Sequence, residues 1–335
     1  MATRNPDITV VGAGAIGGLI AARLAHAGVP VNVLARGAQL DAIRRNGLTI
    51  AEGDTRYTAH VNATADAAAL GPQDLLFICL KGQALVQAAA SLAPLVGPQT
   101  HIVSAMNGVP WWFLNAFGGA HANGRLDAVD PGGVVSAALP PAQASGCVVH
   151  LSSSIAAPGE IRKGNGNLLI VGASAPQLAD RTEEARALLA RAGFDVVAPA
   201  SIQGEIWAKL WGNMTMNPIS ALTRSTADVI LDDPLTAHLV AAIMAEARAI
   251  GEALGIDIAM TIDERNAITR KLGAFKTSML QDVEAGRSLE VEALLGAPYE
   301  LAQRTGVAAL SLGMLYGMAR QLDANLEAAR RATKV

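Results

Sequence analysis

Short β-branched runs alternate with alanine-rich helical spacing through the first two hundred residues. Ile8–Val11, Val31–Ala35, Leu75–Leu80 and Ile102–Met106 read as buried strands, and Ala15–Ala27, Ala38–Arg45 and Ala84–Leu95 as the helices between them. That alternation predicts a parallel sheet with crossover helices. From Ala128 to Gly172 the pattern changes: GGVVSAAL, CVVHLS and NLLIVG, set among glycines and prolines, predict antiparallel strands that extend the same sheet. A helix over Pro176–Ala192 and a strand over Phe194–Val197 complete this half. After about Ser201 the strand signal ends, and only Pro234 and Pro298 remain of the prolines beyond Pro218. Helices are expected over Gly204–Asn217, Pro234–Leu254, Ile262–Glu284 and Glu290–Arg304, and from about Ser311. The chain thus divides into an α/β domain over residues 1–201 and an all-α domain over 202–335.

Composition narrows the function classes. The 26 Lys and Arg against 29 Asp and Glu give a net charge of −3, with no basic stretch to serve as a nucleic-acid footprint. No run reaches the 18 or more apolar residues of a membrane span, and the polar start from Met1 to Asp7 does not read as an export signal. Cys79 and Cys147 lie far apart in the sequence with no CxxC and read as reduced, buried thiols of a cytoplasmic protein. The six histidines show no helical pair and no nearby cysteine, so no metal site is expected.

The chemistry begins in DITVVGAGAIGGLIAARLAHAG. Gly12, Gly14 and Gly17 follow a strand and open a helix in G-x-G-x-x-G spacing. Gly12 permits the tight turn, Gly14 the approach of a pyrophosphate, and Gly17 close packing of helix on strand; Ala15 and Ile16 place backbone N–H groups at the same helix end. The unit is a dinucleotide-binding Rossmann type. At the end of the second strand, where an NAD site places an acid on the ribose hydroxyls, this chain has Arg36, 19 residues after Gly17. The arginine favours the 2′-phosphate of NADP, with a solvated charge leading the next helix as the other reading; the nearest acid, Asp41, lies a turn further on.

In the second half, GEIWAKLWGNMTMNPIS places Lys209, Asn213 and Asn217 at i, i+4 and i+8, on one face of a helix that is otherwise apolar. A desolvated lysine there has the properties of a general acid for carbonyl reduction; a narrow polar face with Lys209 snorkelling into solvent is the other reading. Ser278 in TSMLQD and Glu290 in SLEVE are candidate partners, with ordinary helical roles as their alternatives.

Taken together, GAGAIGG, Arg36, FICLKGQ, MNGVP, WAKLWGNMTMNPISALT, TSMLQD and LEVE resemble the ketopantoate reductase (2-dehydropantoate 2-reductase) family over nearly the full length. The resemblance implies NADPH-dependent reduction of a 2-oxo acid, most simply ketopantoate to pantoate, between a Rossmann domain and a helical domain. It implies Lys209 and Glu290 as catalytic residues. Asn107 stands at the cofactor–substrate junction, Lys81 on the cofactor side, and Asn213, Asn217 and Ser278 contact substrate. Departures at Met106, Ala227, Leu295 and Leu310 remove polar or special residues of the family pattern and suit a more apolar 2-oxo acid. Trp111 and Trp112 could wall the substrate cleft, though packing between domains or subunits is the plainer role. The rivals are a related reductase for another 2-oxo acid, an opine or a 3-hydroxyacid, and a non-catalytic NADP sensor. A homodimer is left open.

Overall fold

Ile8–Val11 forms strand β1, buried along its whole length. In the computed structural model, which describes residues 5–332, it lies within a ten-stranded sheet. The elements up to residue 197 are β1, α1 (Ala15–His26), β2 (Asn32–Leu34), α2 (Gly37–Asn46), β3 (Leu48–Glu52), β4 (Thr55–Ala59), β5 (Asn62–Thr64), β6 (Leu75–Ile78), α3 (Gly82–Leu92), β7 (His101–Ser104), α4 (Val134–Ala138), β8 (Ala144–Ala157), β9 (Glu160–Ala173), α5 (Ala179–Arg191) and β10 (Asp195–Val197). The strand order is β4-β3-β9-β8-β7-β6-β1-β2-β5, with β10 pairing β9.

β1 pairs in parallel with β2 on one side and β6 on the other, with Val10 opposite both Val33 and Phe77. These three residues are fully buried, as expected for a parallel sheet covered on both faces. Chain order reverses direction at β1, so the crevice beyond its carboxyl end is a topological switch point. β8 and β9 form a long antiparallel hairpin, the antiparallel extension expected from CVVHLS and NLLIVG.

The helices that follow are α6 (Ile202–Thr223), α7 (Ala227–Asp232), α8 (Pro234–Ala253), α9 (Ile262–Arg270), α10 (Ser278–Glu284), α11 (Ala297–Thr305) and α12 (Leu310–Ala332). No strand occurs after β10 among the described residues. The chain divides into two compact units: one of residues up to Met106, Pro110–Arg125 and Asp130–Glu205, the other of Asn107–Val109, Leu126–Val129 and residues from Ile206 onward.

Three local expectations are corrected. GGVVSAAL contains the helix α4 instead of a strand, because the Asp130 carboxylate accepts from the Val135 N–H at 2.7 Å and the Ser136 N–H at 3.3 Å, capping a helical turn. α6 continues through Pro218 to Thr223, since burial of Ile219 and Ala221 outweighs the backbone hydrogen bond the proline removes. The segment Ile262–Glu284 breaks into two helices, the second capped by Thr277, whose hydroxyl accepts from the Leu280 N–H at 3.2 Å.

Candidate active site

The first unit holds a cavity of about 360 Å³ lined by the glycine turn, Arg36, Gln39, Leu80 and Ile155 among others. Gly12 has φ +96°, and a side chain there would meet Leu80 Cδ2 at 2.7 Å. A Cβ at Gly17 would run into the Gly12 carbonyl and stand 2.8 Å from Cys79 Cβ, so the turn closes only with glycine at that position. At Gly14, by contrast, no atom beyond its own chain neighbours and the backbone of its own helix lies within 4 Å of where a Cβ would be. Gly14 is the N-cap of α1, which has no side-chain cap and no acidic residue in its first turn. Unclaimed helix N–H groups beside open space fit a pyrophosphate. Ala15 and Ile16 form the first helical residues.

The turn is braced from outside the motif. Gln39 Nε2 donates to the Ala13 carbonyl at 2.7 Å while its Oε1 accepts from the Gly159 N–H at 3.0 Å, and Ser153 on β8 donates to the Ala15 carbonyl at 3.1 Å. Sequence reading missed these residues and Ile155; their contacts span 26 to 138 positions and leave no local signal. Arg36 is exposed at the N-cap of α2. Lys81 is half-buried at the N-cap of α3 and is not among the residues lining this cavity.

In the second unit, α6 is anchored by its tryptophans. The Trp207 indole donates to the Ala247 carbonyl at 3.2 Å and that of Trp211 to the Met244 carbonyl at 2.7 Å, both on α8. With these faces buried, the orientation of the polar stripe is set. Lys209 is half-buried, and its Nζ donates to Asn107 Oδ1 at 3.0 Å. Asn213 is half-buried one turn on, and Asn217 Nδ2 donates to Ser278 Oγ at 3.4 Å. Two pairs named from the sequence are therefore brought together across 102 and 61 residues.

Asn107 is held by its own loop. Gly108 has φ +76° and packs on the Ala293 peptide, where an added Cβ would stand 2.6 Å from the carbonyl carbon. The next N–H, of Val109, donates to the Ala293 carbonyl at 2.9 Å. Ala293 lies in a π-helical turn, Glu292–Gly296, that runs directly into α11. The N–H one π-turn after Ala293 would belong to Pro298, which has none. The carbonyl is thus left for Val109, and the sequence Pro298 to Ala293 to Gly108 fixes where Asn107 meets Lys209.

Glu290, 9% exposed, precedes this turn, and its carbonyl accepts from the Leu294 N–H at 3.2 Å. Leu295 and Ala227 are buried, Met106 is half-buried, and Leu310 is exposed at the start of α12. Trp111 and Trp112 are core residues of the first unit: their indoles donate to the Leu139 carbonyl at 2.9 Å and to Ser104 Oγ at 2.8 Å. Among the described residues no group of three or more His, Cys, Asp or Glu could hold a metal ion, and no helix is long and apolar enough to cross a membrane.

A switch-point cavity behind a glycine turn, with a lysine–amide cluster in a helical unit, is the equipment of a nucleotide-dependent oxidoreductase. Residues 8–110 match the family model described as Ketopantoate reductase PanE/ApbA, and residues 201–323 match its C-terminal companion. The chain belongs to this family of NAD(P)-dependent oxidoreductases. The 2-dehydropantoate 2-reductase of Mesorhizobium japonicum is 40% identical over 316 residues, 94% of this chain and 97% of the relative. A solved structure from Ralstonia solanacearum MolK2, assigned to the ketopantoate reductases, is 46% identical with a TM-score of 0.90 over 97% of this chain and 99% of that one. D-mandelate dehydrogenase, solved with NADH and anilino(oxo)acetate, shares the fold alone at 16% identity, with a TM-score of 0.81 over 96% of this chain and 99% of that one.

Proposed function

We propose that the protein reduces 2-dehydropantoate (ketopantoate) to pantoate with NADPH as reductant. The observation that carries this reading is the 3.0 Å hydrogen bond from Lys209 Nζ to Asn107 Oδ1, on the helix face that also bears Asn213 and Asn217. A neutral amide that accepts one N–H of the ammonium helps to fix where the lysine can donate to a carbonyl oxygen.

When bound, the reduced nicotinamide supplies hydride to C2 of the oxo acid. Lys209 gives its proton to the carbonyl oxygen as negative charge develops there, and is left as the amine. Because the charge is larger in the transition state than in the ketone, the lysine and amide donors stabilise the former more. Asn213, Asn217 and Ser278 orient the substrate, and Glu290 holds its hydroxyl end. On the first unit, Gly12, Gly14, Ala15, Ile16 and Gly17 hold the pyrophosphate and Lys81 serves the cofactor side; in the second unit, Asn107 serves both cofactor and substrate. Arg36, at the mouth of the cavity and without an acid at that strand end, supports a preference for NADP.

Assembly as a homodimer in the cytoplasm belongs to the same reading. The exposed row Leu310, Met314 and Met318 along α12 supports a covered helix face. The test is NADPH oxidation with a panel of branched 2-oxo acids, with Lys209→Ala alongside. Turnover that prefers ketopantoate and falls at least 1,000-fold in the variant is expected. Turnover of no 2-oxo acid, or an unimpaired variant, would overturn the reading.

A further inference from the structure

The cluster described so far places donors around a carbonyl oxygen but assigns no cation to the carboxylate that every 2-oxo acid carries. Arg265, on α9, fills that role in the geometry. A Cβ at Gly212 would stand 2.7 Å from Arg265 Cζ and 2.9 Å from its Nε, so the guanidinium occupies the place a side chain at residue 212 would take. Gly212 lies three residues after Lys209. At about 100° per residue it faces about 60° to one side of Lys209, with Asn213 about 40° and Asn217 about 80° to the other. Arg265 and Ser278, from two successive helices, therefore flank the Lys209 line of α6.

The state of the guanidinium is unusual. It is half-buried, and burial pulls its pKa below the ordinary arginine value. Its Nη1 donates to Thr269 Oγ1 at 2.9 Å. Among the described residues no carboxylate pairs with it and no acceptor takes Nε or Nη2, although neither nitrogen is sealed from solvent. The Nε–Nη2 edge is the side of an arginine that presents two parallel N–H donors to a planar carboxylate. With Nη1 pinned by Thr269, that edge keeps a fixed orientation.

We propose that Arg265 binds the carboxylate of the 2-oxo acid, and that Gly212 is the opening in α6 that admits its guanidinium. The assignment rests on the reductase reading above and adds a specificity residue to it. Arg265 selects for 2-oxo acids over uncharged ketones of the same skeleton, while Lys209 acts on the ketone oxygen.

The experiment compares a 2-oxo acid with its primary amide as substrates for the full-length protein, and titrates oxamate in the presence of NADPH by calorimetry. The variants are Arg265→Gln, Arg265→Lys and Gly212→Ala, each checked for an unchanged circular dichroism spectrum. In Arg265→Gln the KM for the acid rises by roughly 10- to 100-fold with a much smaller change in kcat, as expected for loss of a charge-assisted bidentate pair. The amide is affected less, so the preference for acid over amide collapses. Arg265→Lys recovers part of the preference because charge returns without the fork. Gly212→Ala reproduces the loss with Arg265 intact. Oxamate affinity falls in parallel with the acid preference. Equal effects on acid and amide, or full acid preference in Gly212→Ala, would overturn the assignment. If no 2-oxo acid is turned over, the reductase reading fails separately and oxamate decides: a tenfold weaker Kd in Arg265→Gln supports the site, and an equal Kd overturns it.

Discussion

Replacing Gly108 with alanine should disable the active site from a position that bears no functional side chain. At φ +76° an alanine costs about 1 to 2 kcal/mol of backbone strain. Its Cβ would fall 2.6 Å from the Ala293 carbonyl carbon and 2.8 Å from the Ala293 side chain, so the loop must move off the π turn. That breaks the 2.9 Å Val109–Ala293 hydrogen bond, worth about 1 kcal/mol. The total is about 2 to 3 kcal/mol, concentrated where Asn107 meets Lys209. A displacement of about 1 Å there predicts a fall in kcat on the order of 100-fold. Gly273→Ala is the control: it has φ +62° with no atom beyond its chain neighbours within 4 Å of the new Cβ, so it carries strain without a clash. The assay pairs hydrogen exchange of the Val109 amide with NADPH oxidation kinetics. Gly108→Ala should lose Val109 protection and activity together, while Gly273→Ala keeps both. A protected Val109 amide with kcat within twofold of wild type would refute the reasoning.

The glycine turn makes a paired prediction. Gly17→Ala clashes with the Gly12 carbonyl and should lower thermal stability and NADPH affinity together, whereas Gly14→Ala should leave Tm nearly unchanged and weaken NADPH at least tenfold by calorimetry, because only ligand would occupy that space. Arg36→Ala should raise the KM for NADPH by roughly 10- to 100-fold with little effect on NADH, if its guanidinium meets the 2′-phosphate. Buried His101, 2.9 Å from Ser145 Oγ, has its pKa lowered to about 4 by burial and by nearby Arg181. Its unfolded form takes up a proton near pH 6.5, so this group favours unfolding as pH falls from about 6.5 to 4, by about 3 kcal/mol in full. Urea denaturation across that range should show the slope, and His101→Gln should flatten it.

What could be read from the sequence divides along physical lines. β1, the glycine turn and α1 are legible because the spacing of strand, turn and helix is local, as are the φ of +96° at Gly12 and the contact of Gly17 with the Gly12 carbonyl, even though Cys79 and Leu80 also close on the turn. The polar stripe of α6 was legible because 3.6-residue periodicity and two tryptophans define which faces are buried. α4 was misread because the Asp130 cap, not the β-branched Val134 and Val135, decides the backbone there. The end of α6 was misplaced because burial of Ile219 outweighs Pro218. Gln39, Ser153 and Arg265 were invisible for another reason: each acts through a partner far away in the chain, and Arg265 takes its meaning from a missing side chain at Gly212. The π turn is similar, since Pro298 matters only through the carbonyl that it leaves for Val109.

The central claim is that Lys209 donates the proton as hydride reaches C2 of a 2-oxo acid. The most direct measurement is a single turnover of NADPH carrying deuterium at the transferred position with ketopantoate, followed by stopped-flow absorbance and mass analysis of the product, for wild type and Lys209→Ala. The account predicts pantoate carrying one deuterium at C2, formed at least 1,000-fold more slowly by the variant. Product without deuterium at C2, or equal rates for the two proteins, would contradict it.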